Sequence, residues 1–220
     1  MAYDIDVLRR SMLFCEMSDS EIKKAVLALS ATEKTYDKND MIMIAGNTAD
    51  SLGLVIAGSV RIESNDMWGN RTILGSVGAG QLFAETYALI ENEPLLVDVS
   101  ANENCRILFF KVGSLKKLRS NTDSWCIKLI SNLLMISAHK NLHLSGRSFH
   151  TSPKTIRGRV MAYLNSVSLR NGSKEFDIPF DRQQLADYLN LDRSALSKEL
   201  GKMQKEGIIC NHKNHFVIQG

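Results

Sequence analysis

The sequence predicts an α+β protein of two domains: an antiparallel β-roll with a long helix, then two short helices and a β-hairpin. Three observations predict this fold. Short apolar runs alternate with glycine-containing turns over residues 35–111. A helical pattern without proline or glycine covers residues 123–145, and two short amphipathic segments over residues 182–205 precede two strand-like runs. We place the domain boundary between residues 146 and 147.

Composition excludes several classes of protein. Of the 220 residues, 44% are hydrophobic and 23% are charged, which is typical of a folded globular chain rather than a disordered one. The longest apolar stretches, such as residues 52–58, fall short of the ~20 residues that cross a bilayer. The first residues carry acids where a signal peptide has Lys or Arg. We therefore expect a cytoplasmic protein that does not interact with a membrane.

Charge is unevenly distributed along the chain. Residues 147–220 contain 12 Lys/Arg and 7 Asp/Glu, a net charge of +5, whereas residues 1–146 contain 15 and 17, a net charge of −2. This asymmetry favours a polyanionic partner for the C-terminal domain.

The N-terminal region predicts two helices and then the roll. Residues 4–17 place apolar side chains at helical spacing, and Ser18 with Glu21 forms a capping box for a second helix. Many short strands separated by turns then predict an antiparallel barrel or roll, interrupted by a short helix at residues 84–90. The expected strands cover residues 41–45, 52–57, 60–62, 72–74, 95–99 and 106–110.

The predicted long helix carries two heptad-spaced lines, Ile130, Ser137 and Leu144, and Ile127, Leu134 and Asn141. This spacing is typical of a helix that pairs with its twin, although three heptads also suit a helix packed on its own roll. We predict a dimerisation helix over about residues 123–146. A hinge at residues 146–153, a helix at 155–167, a polar loop at 168–174 and a strand at 176–180 follow.

Residues 182–200 predict a helix-turn-helix. Leu185, Ala186 and Leu189 form the apolar face of its first helix. Asn190 occupies a turn position that needs a positive φ, and Asp192 is a good N-cap for the second helix. That second helix would bury Leu196, Leu200 and Met203. The runs 208–210 and 215–218 around Lys213-Asn214 predict the wing of a winged helix-turn-helix.

The whole chain resembles the cyclic-AMP receptor/fumarate–nitrate regulator (Crp/Fnr) family of bacterial transcription regulators. The order of elements matches, and glycines stand at the family's roll turns: Gly46, Gly58, Gly69 and Gly80. The resemblance implies a homodimer that binds palindromic double-stranded DNA and contacts RNA polymerase. It also implies a cyclic-nucleotide-binding-like roll that receives a small-molecule or other signal.

The helix-turn-helix of the family supplies the expected DNA contacts. The second helix of this chain presents short hydroxyls and long cations to solvent, as a helix in the major groove does. By position, base edges would be contacted by Arg193, Ser194, Ser197 and Lys198. Phosphates would be contacted by Arg182, Gln183 and His212.

The effector pocket departs from the cyclic-nucleotide-binding members. Those members hold the phosphate with a Gly-Glu-Leu segment and a later Arg-Ser or Arg-Thr pair. Here Glu85 is kept, but Ala84 replaces the glycine, and Leu95 and Leu96 replace the pair. A buried phosphate without a cation is costly, so we expect an effector other than cyclic AMP, or none. The residues expected to contact it are Glu85, Tyr87, Leu95, Leu96, Ser137 and Asn141.

No metal, cofactor or catalytic residue is predicted. Cys15 stands alone where the oxygen-sensing members carry a thiolate cluster, and the four cysteines form no close pair, although one could sense redox state. His139 and His143 have a spacing that can ligate a metal or haem, but such pairs are more often solvated. A cupin-like enzyme needs histidines on its strands, and residues 35–111 contain none. The basic helix-turn-helix argues against a ligand-binding adaptor without DNA contact.

Overall fold

The computed structural model describes residues 5–65, 71–90, 92–111 and 123–219. The chain forms two compact units, Met1–Ser137 and Ala138–Gly220. Antiparallel sheets combined with helices confirm the predicted α+β class. The boundary between residues 146 and 147 stays a prediction, because a single helix runs through both positions.

The helices and strands of the described residues follow the predicted order. The helices are α1 (Ile5–Arg9), a 3₁₀ turn (Met12–Phe14), α2 (Asp19–Ala28), α3 (Glu85–Leu89), α4 (Ser124–Thr151), α5 (Ile156–Asn171), α6 (Arg182–Tyr188) and α7 (Arg193–Lys205). The strands are β1 (Thr32–Tyr36), β2 (Met41–Met43), β3 (Ser51–Ala57), β4 (Ser59–Asn65), β5 (Arg71–Gly78), β6 (Leu82–Phe83), β7 (Asp98–Ala101), β8 (Cys105–Lys111), β9 (Glu175–Asp177), β10 (Ile209–His212) and β11 (His215–Ile218). The strand expected at residues 95–99 begins later, at Asp98.

Two four-stranded antiparallel sheets form the β-roll, with strand orders β1-β8-β3-β6 and β2-β7-β4-β5. Apolar side chains between the sheets include Val55, Val60 and Ile107. Strands β3 and β4 meet at Gly58, whose φ is +75° and where a Cβ would lie 2.4 Å from the Asn104 carbonyl oxygen. Only glycine fits this turn. The turn expected at Gly69 lies outside the described residues.

The outer face of the first sheet packs against α1, α2 and the N-terminal half of α4. The predicted capping box is confirmed, because Ser18 and Glu21 exchange side-chain and backbone hydrogen bonds at the start of α2. Glu21 also accepts hydrogen bonds from the Ser124 hydroxyl and from Lys128 Nζ (3.0 Å). These donors, Ser124 first, lower the pKa of Glu21 to about 2. The carboxylate thus links α2 to the start of α4.

Two predicted breaks in the C-terminal half are wrong. Helix α4 does not end at Gly146 but continues to Thr151, where the Thr151 and Ser152 hydroxyls donate to carbonyls of the last turn before Pro153. Helix α5 extends through most of the loop expected at residues 168–174, because Gly172 (φ +63°) provides its left-handed C-cap. Gly146 and the polar residues 168–174 thus led to predicted helix ends that lie before the observed ones.

The C-terminal unit is a winged helix-turn-helix. Helices α5, α6 and α7 enclose a core with the three-stranded sheet β10-β11-β9. The core includes every apolar residue that the sequence assigned to the helix-turn-helix, namely Leu185, Ala186, Leu189, Leu196, Leu200 and Met203. Strand β10 pairs with β11 around Lys213 (φ +52°), which confirms the predicted wing. The strand expected at residues 176–180 is shorter and ends at Asp177.

Candidate nucleic-acid interface

The turn between α6 and α7 has the predicted geometry. Helix α6 begins at a capping box that Asp181 forms with Gln184. The turn residue Asn190 has a φ of +52°, which an asparagine adopts at less cost than most residues. Asp192 then caps α7 by accepting a hydrogen bond from the Ala195 amide (2.9 Å). Hydrogen bonds from the Ser194 hydroxyl and from this amide lower the pKa of Asp192, so the N-cap is ionised.

One face of α7 is buried and the opposite face is free for a ligand. The residues predicted to contact base edges are all exposed and lie along one stripe of the helix: Arg193, Ser194, Ser197 and Lys198. Gly201, Lys202 and Lys205 continue this stripe. Long cations and short hydroxyls can donate to guanine and phosphate oxygens, so the stripe suits a polyanion with a hydrogen-bonding edge.

The side of α7 that lies away from this stripe is held to α5 by Arg157. Arg157 donates to Glu199 (2.7 Å) and, through both terminal nitrogens, to Glu206 (2.6 and 3.1 Å). These carboxylates, Glu206 first, raise the pKa of Arg157. Glu199 of α7 and the C-cap residue Glu206 are thereby paired with Arg157, and the charged residues of the exposed stripe are all cations.

The residues predicted to contact phosphates have different environments. Gln183 is exposed and donates to Asp187 (2.8 Å), and His212 is exposed at the end of β10. Arg182 is half-buried, because its guanidinium lies 5.4 Å from the Phe216 ring centroid, and burial lowers its pKa. Arg182 therefore also contributes to packing of the wing.

An open cleft of about 790 Å³ lies between the starts of the two helices and the wing. Its lining includes three basic residues, Arg182, Arg193 and Lys213, and one carboxylate, Asp181. Lys213 was not among the predicted contacts. An exposed lysine in a turn between two strands is the signal that could have indicated a phosphate contact.

Two further arginines, which the sequence did not reveal, hold the turn in place. From the C-terminal half of α4, Arg147 donates to the carbonyl oxygens of Asp187 and Tyr188 and to Asn190 Oδ1, each at 3.1 Å. From α5, Arg159 donates to the carbonyl oxygens of Leu189 (3.2 Å) and Asn190 (3.0 Å). The last carbonyls of α6 thus receive guanidinium donors.

Aromatic side chains pack around this contact. His150, only 4% exposed, lies 3.0 Å through Nδ1 from the Tyr188 hydroxyl, and its ring packs edge-on against Tyr163. Burial, with a smaller contribution from Arg170, lowers the pKa of His150. Burial also raises the pKa of Tyr163 to about 12. Both groups are therefore neutral near pH 7, and α4 meets α6 through an uncharged aromatic layer beside Arg147.

Replacing Arg147 by methionine is expected to destabilise the C-terminal unit by ~1–3 kcal/mol, because three acceptors lose a charged donor while the apolar stem remains. Urea unfolding followed by far-ultraviolet circular dichroism measures this loss. Lys154→Met removes an exposed cation nearby and should leave the unfolding midpoint unchanged. Equal midpoints for the two variants would show that Arg147 does not stabilise the turn.

The residues predicted to contact an effector are in contrasting environments. Glu85 is buried at the start of α3, and Tyr87 accepts a hydrogen bond from the Leu96 amide (3.4 Å). Leu95 is 3% exposed, whereas Leu96 is 72% exposed. The side chains that replace the Arg-Ser pair thus separate, one inward and one toward solvent. Ser137 and Asn141 lie one turn apart on α4, half-buried and exposed respectively.

Helix α4 has two apolar faces within the N-terminal unit. Leu129, Leu133 and Ile136 are buried against the roll and its helices. Ile127, Ile130 and Leu134 lie on the other side and are 59%, 49% and 67% exposed. The two interpretations of the heptad pattern are therefore compatible, because one face packs on the chain's own roll while the other stays available.

The described ranges, residues 5–65, 71–90, 92–111 and 123–219, contain neither a membrane span nor a metal-ligand cluster. No helix within them is both long enough and apolar enough to cross a membrane. Within the same ranges, no three His, Cys, Asp or Glu side chains come together as ligands for a metal ion.

Two domain families match separate segments of the chain. Residues 33–122 match the cyclic nucleotide-binding domain, and residues 158–219 match the Crp-like helix-turn-helix domain. The chain is 22% identical to the transcriptional activator protein FnrL of Cereibacter sphaeroides, over 95% of this chain and 85% of that protein. It is 26% identical to the cyclic AMP receptor protein of Thermus thermophilus, over 92% and 89% respectively.

Solved structures show the same fold. The global regulator CLP of Xanthomonas campestris, described as responsive to c-di-GMP, aligns with a TM-score of 0.58 and 18% identity, over 92% of this chain and 100% of that chain. The catabolite activator protein of Thermus thermophilus aligns with a TM-score of 0.50 and 24% identity, over 95% and 94%.

Proposed function

The chain belongs to the Crp/Fnr family of DNA-binding transcription regulators, and we propose from this premise that it acts as a homodimer on a pseudo-palindromic operator. The roll receives a small-molecule or other signal, and the DNA-bound dimer contacts RNA polymerase. The protein works in the cytoplasm, where bacterial DNA lies, and catalyses no reaction of its own.

The exposed stripe of α7 is the observation that carries this function. Its charged residues are all cations, and the neighbouring Glu199 and Glu206 are ion-paired with Arg157. Capping fixes the N-terminal end of the helix, and this end carries Arg193 and Ser194. A rigid, cationic helix end beside a basic wing matches the width of a major groove.

DNA affinity should depend steeply on salt, because cations of the stripe and the wing displace counterions from phosphates. For six to ten phosphate contacts, raising salt from 50 to 200 mM should lower the affinity by roughly 10³–10⁵-fold. Fluorescence anisotropy with a labelled duplex measures this slope. Lys202→Ala removes one cation from each subunit of the dimer and should reduce the slope by about two, whereas Lys23→Ala on α2 should leave it unchanged. A salt-independent affinity would contradict DNA binding through this face.

We further propose that the signal is not cyclic AMP. Leu95 stands where a cation would balance the phosphate, and its side chain is buried. A phosphodiester left unpaired beside it costs on the order of several kcal/mol. Calorimetry should therefore show cyclic AMP binding no more tightly than neutral adenosine. A micromolar dissociation constant for cyclic AMP alone would refute this proposal.

A further inference from the structure

A second cleft, of about 490 Å³, opens into the β-roll. It lies between β1, the end of β8 and the start of β3 on one side, and β2 with Leu95 on the other. Its volume is within the range of about 300–1,000 Å³ that small-molecule sites occupy. Glu85 and Tyr87 do not belong to its lining.

Two lysines occupy positions of this cleft that the strand pattern reserves for apolar side chains. In the β1–β8 register Lys34 pairs with Ile107, which is fully buried between the sheets. Lys111 shares the face of Ile107 and Phe109, because alternate residues of a strand point the same way. Both side chains therefore lie on the cleft side of their strands, where they line the cleft and are exposed to solvent. Neither forms an ion pair with any residue of the described ranges.

Aromatic and sulfur-containing side chains form part of the other walls, beside polar residues such as Asn47 and Thr48. The Tyr36 and Phe109 rings pack edge-to-face with centroids 6.4 Å apart, and Lys34 Nζ lies 5.6 Å from the Phe109 centroid. Met41 and Met43 line the opposite side. Thioethers and ring edges both make favourable contacts with an aromatic ligand.

The charge of the lining selects an anion. The lysines face one carboxylate among the described lining residues, that of Asp50, which already accepts a hydrogen bond from the Ser51 hydroxyl (2.8 Å). A net positive charge remains along a partly apolar cleft, and charge-assisted hydrogen bonds are stronger than neutral ones.

We infer that this cleft binds a small aromatic carboxylate, with its ring against Phe109 and Tyr36 and its carboxylate between Lys34 and Lys111. The inference deepens the sensing role proposed for the roll, since it names a location and a ligand class for the signal. It places the ligand between the edge strands β1 and β2 rather than beside Glu85.

Binding can be tested on the full-length, isotope-labelled protein with 1-naphthoate as the probe and neutral 1-naphthamide as its isostere. Amide resonances of β1, β2 and β8 should shift saturably with naphthoate. Naphthamide should bind at least about tenfold more weakly than naphthoate, since it lacks the charge. The double variant Lys34→Met/Lys111→Met should lose a similar factor for naphthoate. The control Lys24→Met, an exposed lysine of α2, should bind like the wild type.

Three results would overturn the inference: no shift at saturating naphthoate, equal affinities for naphthoate and naphthamide, or a double variant that binds naphthoate like the wild type. Resonances of the unliganded variants establish that each remains folded. DNA affinity is measured on the same samples without probe. A wild-type protein that does not bind DNA would therefore count against the proposed function and not against ligand binding in the cleft.

Discussion

Replacing Ile130 and Leu134 by glutamate is expected to produce monomers and to weaken operator binding by a factor of roughly 10²–10⁴, the gain that joining two binding modules provides. Both side chains are exposed on the face of α4 that points away from the roll. Glutamates there remain solvated in a monomer, so the fold should survive. In a dimer they would bury unpaired like charges.

Sedimentation velocity and DNA titration together measure this effect. The matched control replaces two other exposed leucines, Leu27 and Leu169, by glutamate. This control adds the same charge outside the proposed seam and should stay dimeric. An unaltered dimer in the Ile130/Leu134 variant would place the interface elsewhere.

Arg193→Ala is expected to cost ~1–3 kcal/mol per half-site in operator binding and to relax the preference at one base pair of each half-site. Arg193 lies at the exposed N-terminal end of α7, where a guanidinium can donate two hydrogen bonds to a guanine edge.

Lys213→Ala is the matched comparison, because it removes a cation from the wing turn rather than from the helix. It should weaken all sequences alike and reduce the salt dependence without changing the preferred site. Arg182→Ala should act in the same direction, with an added loss of stability since Arg182 packs on Phe216. A changed base preference in the Lys213 variant would show that the wing reads sequence.

The local features of the helix-turn-helix could be predicted from sequence because each depends on neighbouring residues. The cap at Asp192 needs only an amide three residues later, and the turn at Asn190 needs only a side chain that tolerates positive φ. The inward positions of α7 follow from helical periodicity. These patterns predicted both the element and its exposed face.

Features that depend on distant residues could not be predicted in this way. Arg147 contacts Asn190 from 43 positions away, and no local pattern indicates that pairing. The continuation of α4 past Gly146 has a similar cause, because contacts of Arg147 and His150 with Tyr188 outweigh the ~1 kcal/mol that a helical glycine costs. Leu95 and Leu96 are adjacent in sequence, yet only the fold separates them into buried and exposed.

Selection of bound sites from a random duplex pool by the wild-type dimer tests most directly the claim that α7 reads DNA in a two-fold arrangement. The enriched sequence should be a pseudo-palindrome whose half-sites lie about one helical turn (~34 Å) apart. Repeating the selection with Arg193→Ala should weaken the base preference at one position of each half-site. An asymmetric enriched site, no enrichment, or an unchanged site in the variant would contradict the assignment of this reading face.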